Sequence, residues 1–393
     1  MPVKSWKLVD PASGQSALPQ PLAIDAKTLP GMGSASVLAR TWSGGLADGV
    51  LAVEIDNGKL AFDVLPTRGM GLWRARLAGD SEMPTLGWKS PNRGPVHPAL
   101  VNLGEPSGLG WLDGFDELLV RCGLESNGAP EFDEKTGQLK YPLHGRIANR
   151  PAHHVELTID TDKQEIKLLG IVEETRFHFL KLRLTSTVTT KFGSSALHIH
   201  DEVQNFSATP AAMQLLYHVN FGLPLLDAGS RVVAPVKTLV PRNAHAATGL
   251  KTWDSYGAPQ PGFEEQVYFF DLHADGEGRT RTLLKNAHAT RGVSLVFDPR
   301  QLPCFSLWKD TAGEPDGYVT GLEPGTNFPN PRSFEATKKR EVKLAAGQKQ
   351  AFDLTLEVHG SSAEVAASEA AVAKIQAGRE PRIHPQPLPD WCA

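Results

Sequence analysis

Apolar and polar residues alternate with a period of two along most of this chain. That pattern commits it to strands half-buried on one face of a sheet. Leu180-Lys181-Leu182-Arg183-Leu184 is the plainest case, and Thr185 to Thr190 continues it with β-branched residues that favour extended backbone. Leu51-Ala52-Val53-Glu54-Ile55 and Lys59-Leu60-Ala61-Phe62-Asp63-Val64 flank Asp56-Asn57-Gly58. Asn-Gly there supplies the positive φ of a tight hairpin. Further strands are expected over 165–172, 196–203, 293–297, 305–308, 318–322 and 351–358. Glycine (37) and proline (30) fill about 17% of the 393 positions, above a background of roughly 12%, and they punctuate short segments instead of forming a tract. Patterning alone therefore reads as a large all-β protein.

One helix is expected, near the end. Ser361-Ser362-Ala363-Glu364 resembles a capping box, and Val365, Val372 and Ile375 share a helical face up to Gly378. Pro381, Pro385, Pro387 and Pro389 make the remainder extended and peripheral, with Trp391 as an anchor. No linker interrupts the strands. The expected organisation is one β domain over 1–360, followed by a helix and Pro-rich tail over 361–393. Residues 91–114, rich in Gly and Pro and flanked by Trp88 and Trp111, read as a long loop lining a cleft.

Net charge is −4 and no basic run tracks phosphates, which excludes nucleic acid as the expected partner. Cys122, Cys304 and Cys392 are few, odd in number and far apart, so neither a zinc knuckle nor a redox pair is indicated. The first ten residues lack an apolar core of the signal-peptide kind, and no stretch approaches the roughly 18 apolar residues of a membrane span. A cytoplasmic protein with no membrane partner, monomeric or homodimeric, is the expectation. His198-x-His200-Asp201 has two ligand types on one strand face but no third ligand at sensible spacing, so no metal is expected. Nucleotide-binding glycine loops and the nucleophile elbow are missing, and no cofactor is expected.

Three polar residues stand out in strand-like surroundings: His144 in Leu143-His144-Gly145-Arg146, His218 in Tyr217-His218-Val219-Asn220-Phe221-Gly222, and Glu323 in Gly321-Leu322-Glu323-Pro324-Gly325. Two imidazoles and a carboxylate are the groups that move protons near neutral pH. A lone histidine among apolar neighbours is more often a core side chain bonded to a carbonyl, and a turn histidine beside an arginine is more often surface. Glu323, flanked by Leu322 and Pro324, is expected to be partly buried. Burial raises a carboxyl pKa and makes a better base near neutrality; pairing with Arg332 or Lys309 is the plainer alternative.

These segments resemble those of aldose 1-epimerases, the galactose mutarotase-like proteins. Leu-His-Gly is a recurrent mutarotase segment, and His218-Val219-Asn220-Phe221 resembles a His-x-x-Phe-Asn type segment with Asn and Phe exchanged. His-Gly-Arg, Thr67-Arg68-Gly69-Met70, Cys122-Gly123-Leu124, Trp308-Lys309 and Gly-Leu-Glu-Pro resemble an uncharacterised branch of that superfamily (the DUF4432 type), extending the likeness from about Leu65 to Arg332. The resemblance implies a galactose mutarotase-like super-sandwich of large antiparallel sheets with a sugar cleft on a concave face. It implies interconversion of the α and β anomers of an aldose, with no cofactor. Glu323 would take the proton of the C1 hydroxyl, His218 would give one to the ring oxygen, and His144 would hold a hydroxyl or the ring oxygen. Substrate contacts are expected from Arg68, Arg121, Arg146, Asn220, Glu265, Trp308, Lys309 and Arg332. Glu264-Glu265 would supply the carboxylate that binds sugar hydroxyls, the sequence leaving open which of the two faces the cleft, and Trp308 is taken as a stacking platform ahead of Trp73, Trp88, Trp111 and Trp253.

Two other classes stay open. One is a sugar sensor that kept the cleft and lost turnover. The other is a phosphosugar epimerase, or a lyase acting on an acidic sugar, motivated by Arg146, Lys309 and Arg332.

Overall fold

A computed structural model describes residues 3–14, 18, 20–92 and 94–393. Two large sheets dominate it. One has nine strands, running in space from Val3–Val9 through His154–Asp160, Glu165–Thr175, Lys181–Lys191, Ala196–Asn205, Lys349–His359, Gly292–Phe297 and Thr280–Lys285 to Arg231–Val233. The other has thirteen, and its centre runs Gly71–Leu77, Leu119–Leu124, Ala211–Gly222, Val319–Gly325, Cys304–Asp310, Gln266–Leu272. Neighbours in both sheets are antiparallel, except that the tail strand Arg382–Ile383 pairs in parallel with Val236–Pro241.

The sheets pack face to face because each strand offers alternate apolar residues to the other sheet. In Glu165–Thr175 and Lys181–Lys191 every second residue is buried. Tyr217, Val219 and Phe221 from one sheet meet a core that includes Leu184, Ile199 and Leu354 from the other. The even-numbered residues of the Ala211–Gly222 strand then face the opposite way, onto the outer face of the thirteen-stranded sheet. Leu216, one of them, joins a separate cluster with Trp111, Phe115 and Cys122. That second face carries the candidate site.

The expected hairpin forms between Leu51–Asp56 and Leu60–Leu65, with Gly58 alone of the Asn57-Gly58 pair at positive φ, +92°. Asn57 has a different task. Its Oδ1 accepts from the Lys59 and Leu60 N–H groups, and its Nδ2 donates to Thr190 Oγ1 and the Ser194 carbonyl on the other sheet. The C-terminal helix spans Ser362–Gln376, capped by Ser361 Oγ, while Glu364 reaches back to the Gly360 N–H at 2.7 Å. Val365 and Val372 seat it on Leu283 of the nine-stranded sheet. Among the described residues no helix is long and apolar enough to cross a membrane.

Candidate functional site

His218, Glu323 and Trp308 come from three adjacent strands and point to the same side. Strand register sets Asn220 opposite Gly321, and Gly321 opposite Trp308. Gly321 keeps the floor open. A Cβ there would lie 2.6 Å from Glu323 Oε1 and 3.1 Å from His218 Cε1, so any side chain would press on both groups. The 91–114 loop folds over this floor and supplies Leu109, Trp111 and Leu112, with Phe115 just beyond it. His144, at the turn with φ +56°, closes one wall. Together with Arg242 and Glu265 these groups enclose a cavity of about 270 Å3.

Each imidazole has its proton assigned by its neighbours. The Asn220 Nδ2 donates to the Glu117 and His218 carbonyls, which fixes the amide and turns its Oδ1 to His218 Nδ1 at 2.5 Å. Nδ1 therefore carries the hydrogen, and Nε2 is left facing Glu323 Oε1 at 3.2 Å. That pair lies within ion-pair distance but is not aligned as a hydrogen bond, and Oε1 has no other protein partner. His144 Nδ1 donates to the Asn127 carbonyl at 3.0 Å, which leaves its Nε2 as an acceptor. Ring centroids of His144 and His218 are 5.2 Å apart.

Burial governs the charges. Desolvation, helped by the Glu265 carboxylate and opposed by Arg242, pushes the Glu323 carboxyl up to about 8. Desolvation, helped by His144, holds His218 well below the ordinary histidine value. It takes His144 down to about 4. At neutral pH the favoured resting state is thus a protonated Glu323 beside a neutral His218, with one proton between them. Glu265 is fixed from two sides, by Trp308 Nε1 at 2.7 Å and Arg242 Nη2 at 2.7 Å, and remains half exposed at the mouth.

The family described as "Domain of unknown function (DUF4432)" matches residues 47–358. The chain belongs to this family. A crystal structure from Klebsiella pneumoniae subsp. pneumoniae MGH 78578, provisionally assigned as an aldose 1-epimerase, is 35% identical over 98% of this chain and 99% of that one, with a TM-score of 0.91. A galactose mutarotase-like protein from Clostridium acetobutylicum (13% identity, 82% and 98% coverage, TM-score 0.56) shares the fold. So does a galactose 1-epimerase from Lactobacillus acidophilus NCFM (13%, 84% and 100%, TM-score 0.52). No curated protein matches the chain. The fold is the galactose mutarotase-like arrangement of large antiparallel sheets.

Within this DUF4432 protein the structure gathers His144, His218, Glu265, Trp308 and Glu323 around one cavity and leaves the other expected contacts outside it. Asn220 is fully buried and bonds His218, so it orients the imidazole instead of touching a ligand. Arg121 lies on the core side of its strand. It joins the two sheets through Asp201 at 2.5 Å, Ser186 and the Met70 carbonyl. Lys309 follows Trp308 by one residue and so faces the other way, where it donates to the Thr252 and Ser255 carbonyls. Arg68 is buried against Glu117, Asn149 and the Gly114 carbonyl. Arg332 pairs with Glu341 and the Glu125 carbonyl, and Arg146 approaches Glu125 at 3.7 Å. None of these six residues lines the cavity.

Glu264 is exposed and lies by His245, which leaves Glu265 as the cavity carboxylate. His198 and His200 meet Asp353, while Asp201 turns into the core, so that motif does not converge. Arg242 is the residue that sequence reasoning missed. It directly follows a strand end and has no distinguishing neighbour in sequence. Trp111 was visible only as one of several tryptophans.

Proposed function

We propose that this protein is an aldose 1-epimerase that interconverts the anomers of a neutral free sugar. The observation that carries the proposal is the Glu323–His218 pair, 3.2 Å apart and buried at the floor of the cavity.

Anomer exchange removes one proton from the C1 hydroxyl and adds one to the ring oxygen, so the catalyst's proton count does not change. With the proton on His218, Glu323 is the base and the imidazolium is the acid. The C1 O–H proton goes to Glu323, the C1–O5 bond breaks, and O5 takes the His218 proton. The pair is then neutral, which is the form that burial favours. It closes the ring on either face of the rotated aldehyde: Glu323 gives its proton to the carbonyl oxygen, O5 attacks C1, and His218 takes back the O5 proton. His144, neutral with Nε2 unprotonated, accepts from a sugar hydroxyl; it has no proton there for the ring oxygen. Trp308 offers an indole face, and Glu265 offers carboxylate oxygens for outer hydroxyls. Each positioned acid or base contributes roughly 10²–10⁴-fold.

The acidic-sugar reading loses its support, because Arg146, Lys309 and Arg332 have protein partners outside the cavity. Arg242, which does line it, is spent on Glu265. The test is anomer exchange by NMR saturation transfer over neutral, phosphorylated and acidic sugars. Acceleration for a neutral aldose is expected, with a loss of roughly 10²–10⁴-fold in Glu323→Gln and His218→Ala. Binding of every sugar without acceleration would sink the epimerase and leave a sensor.

A further inference from the structure

A second and larger cavity, about 700 Å3, opens on the same outer face of the thirteen-stranded sheet. Among the described residues none lines both cavities. Trp73, Trp88 and Tyr318 supply aromatic surface to it, and Asp116 lines it beside Trp73. The wall is built, not incidental. Asp116, 7% exposed, accepts from Trp73 Nε1 at 2.8 Å and so fixes that indole. Trp88 fits a slot left by two glycines: a Cβ on Gly222 would come within 2.5 Å of its Cα, and one on Gly317 within 2.8 Å of its ring. The Trp88 Nε1 is buried without a partner.

The chemistry of this wall selects its ligand. Indole faces take the apolar face of a ring, while a carboxyl in the wall takes hydroxyls. An anionic ligand is disfavoured, since Arg74 is held by Asp63 at 2.5 Å and Lys89, the other cation of the lining, stands against Glu82, Glu314 and Asp116. The volume is more than twice that of the cavity read above as holding one sugar. We propose that this cavity is a separate binding subsite for a neutral saccharide of two or more units.

Consecutive residues of one segment line the two cavities. Phe115 lines the catalytic cavity and the next residue, Asp116, lines the second. Trp88 packs on Phe115 at 4.8 Å, and Phe115 packs on His218 at 5.3 Å. A saccharide seated on Trp88 therefore bears on the ring that holds the catalytic imidazole.

The proposal rests on the epimerase reading only for the size of one sugar, and the test reads binding separately from turnover. Ligand-observed saturation-transfer NMR would be run with a neutral disaccharide and trisaccharide, in the presence of excess monosaccharide. The proteins are wild type, Glu323→Gln, Asp116→Asn, and Ser81→Trp, which fills the cavity from its exposed rim. The oligosaccharide signal is expected in wild type and Glu323→Gln, undisplaced by monosaccharide. It is expected to fall at least about tenfold in Ser81→Trp and more modestly in Asp116→Asn, while anomer exchange of a monosaccharide persists in Ser81→Trp. No oligosaccharide signal, one displaced by monosaccharide, or one that survives both cavity variants would each overturn the proposal. Absence of anomer exchange in wild type would remove the epimerase and leave these binding outcomes readable.

Discussion

Asn220 decides which tautomer His218 adopts, and that choice sets how the Glu323–His218 pair titrates. With the Asn220 oxygen on Nδ1, a neutral His218 has no hydrogen on Nε2, so Glu323 gains by keeping its own proton. The Glu323 value is raised to about 8. The shared proton is therefore present below that pH and lost as pH rises through it. Turnover should be flat through neutrality and fall above about pH 8, an apparent pKa that belongs to the pair. In Asn220→Ala the imidazole is free to put its hydrogen on Nε2, where it stabilises the Glu323 carboxylate. The pair then releases its proton sooner. The expected result is a drop in kcat of roughly 10–10³-fold and an alkaline limb moved to lower pH, read from pH–rate profiles. An unshifted limb with reduced kcat would mean that Asn220 matters for folding alone.

At the scale of elements, the tail reaches the site through a chain of contacts. Trp391 stacks on Phe328 at 4.8 Å, and its carbonyl accepts from Asn330 at 2.8 Å. Asn327, one residue before Phe328, exchanges two amide hydrogen bonds with Asn127. The Asn127 carbonyl holds His144. Trp391→Ala should therefore loosen His144 and lower kcat/KM about tenfold, since sub-ångström misplacement is costly to catalysis. Trp391→Phe, which keeps the stack, should restore most of it; equal losses in both would refute this route. Sequence shows Trp391 as an anchor but not what it anchors, because the partners lie some 60 residues away or more. The strands were far more legible. Their residues alternate, and every expected strand forms. Alternation also held the answer for Lys309 and Arg121. Counted from Leu307 or from Val120, both fall on the core face, where a cation serves packing and not ligand. His144, His218 and Glu323 were legible as residue types in matching segments. Arg242 was not, since only the tertiary fold carries it to Glu265.

For the molecule as a whole, the closest join between the two sheets other than apolar packing is the ion pair of Arg121 with Asp201, both side chains fully buried. The Tyr217 hydroxyl donates to Asp201 at 2.9 Å, and Arg121 Nη2 donates to Ser186 Oγ at 2.8 Å. Such a pair gains little over an apolar replacement, because removing both charges from water offsets their attraction. Breaking one side is a different matter, since it strands a buried charge. Arg121→Ala should destabilise the fold by about 3–5 kcal/mol. Arg121→Met combined with Asp201→Leu should cost clearly less than Arg121→Ala, because no charge is left behind. Urea denaturation followed by tryptophan fluorescence reads both, provided the m-value is unchanged. A double variant as unstable as the single one would show that the network orients the sheets geometrically, beyond its charge balance. Arg121 immediately precedes Cys122, which packs with Leu216, Trp111 and Phe115 on the face that carries the candidate site. The same comparison should then appear in turnover, with the double variant retaining the anomer exchange that the single variant loses.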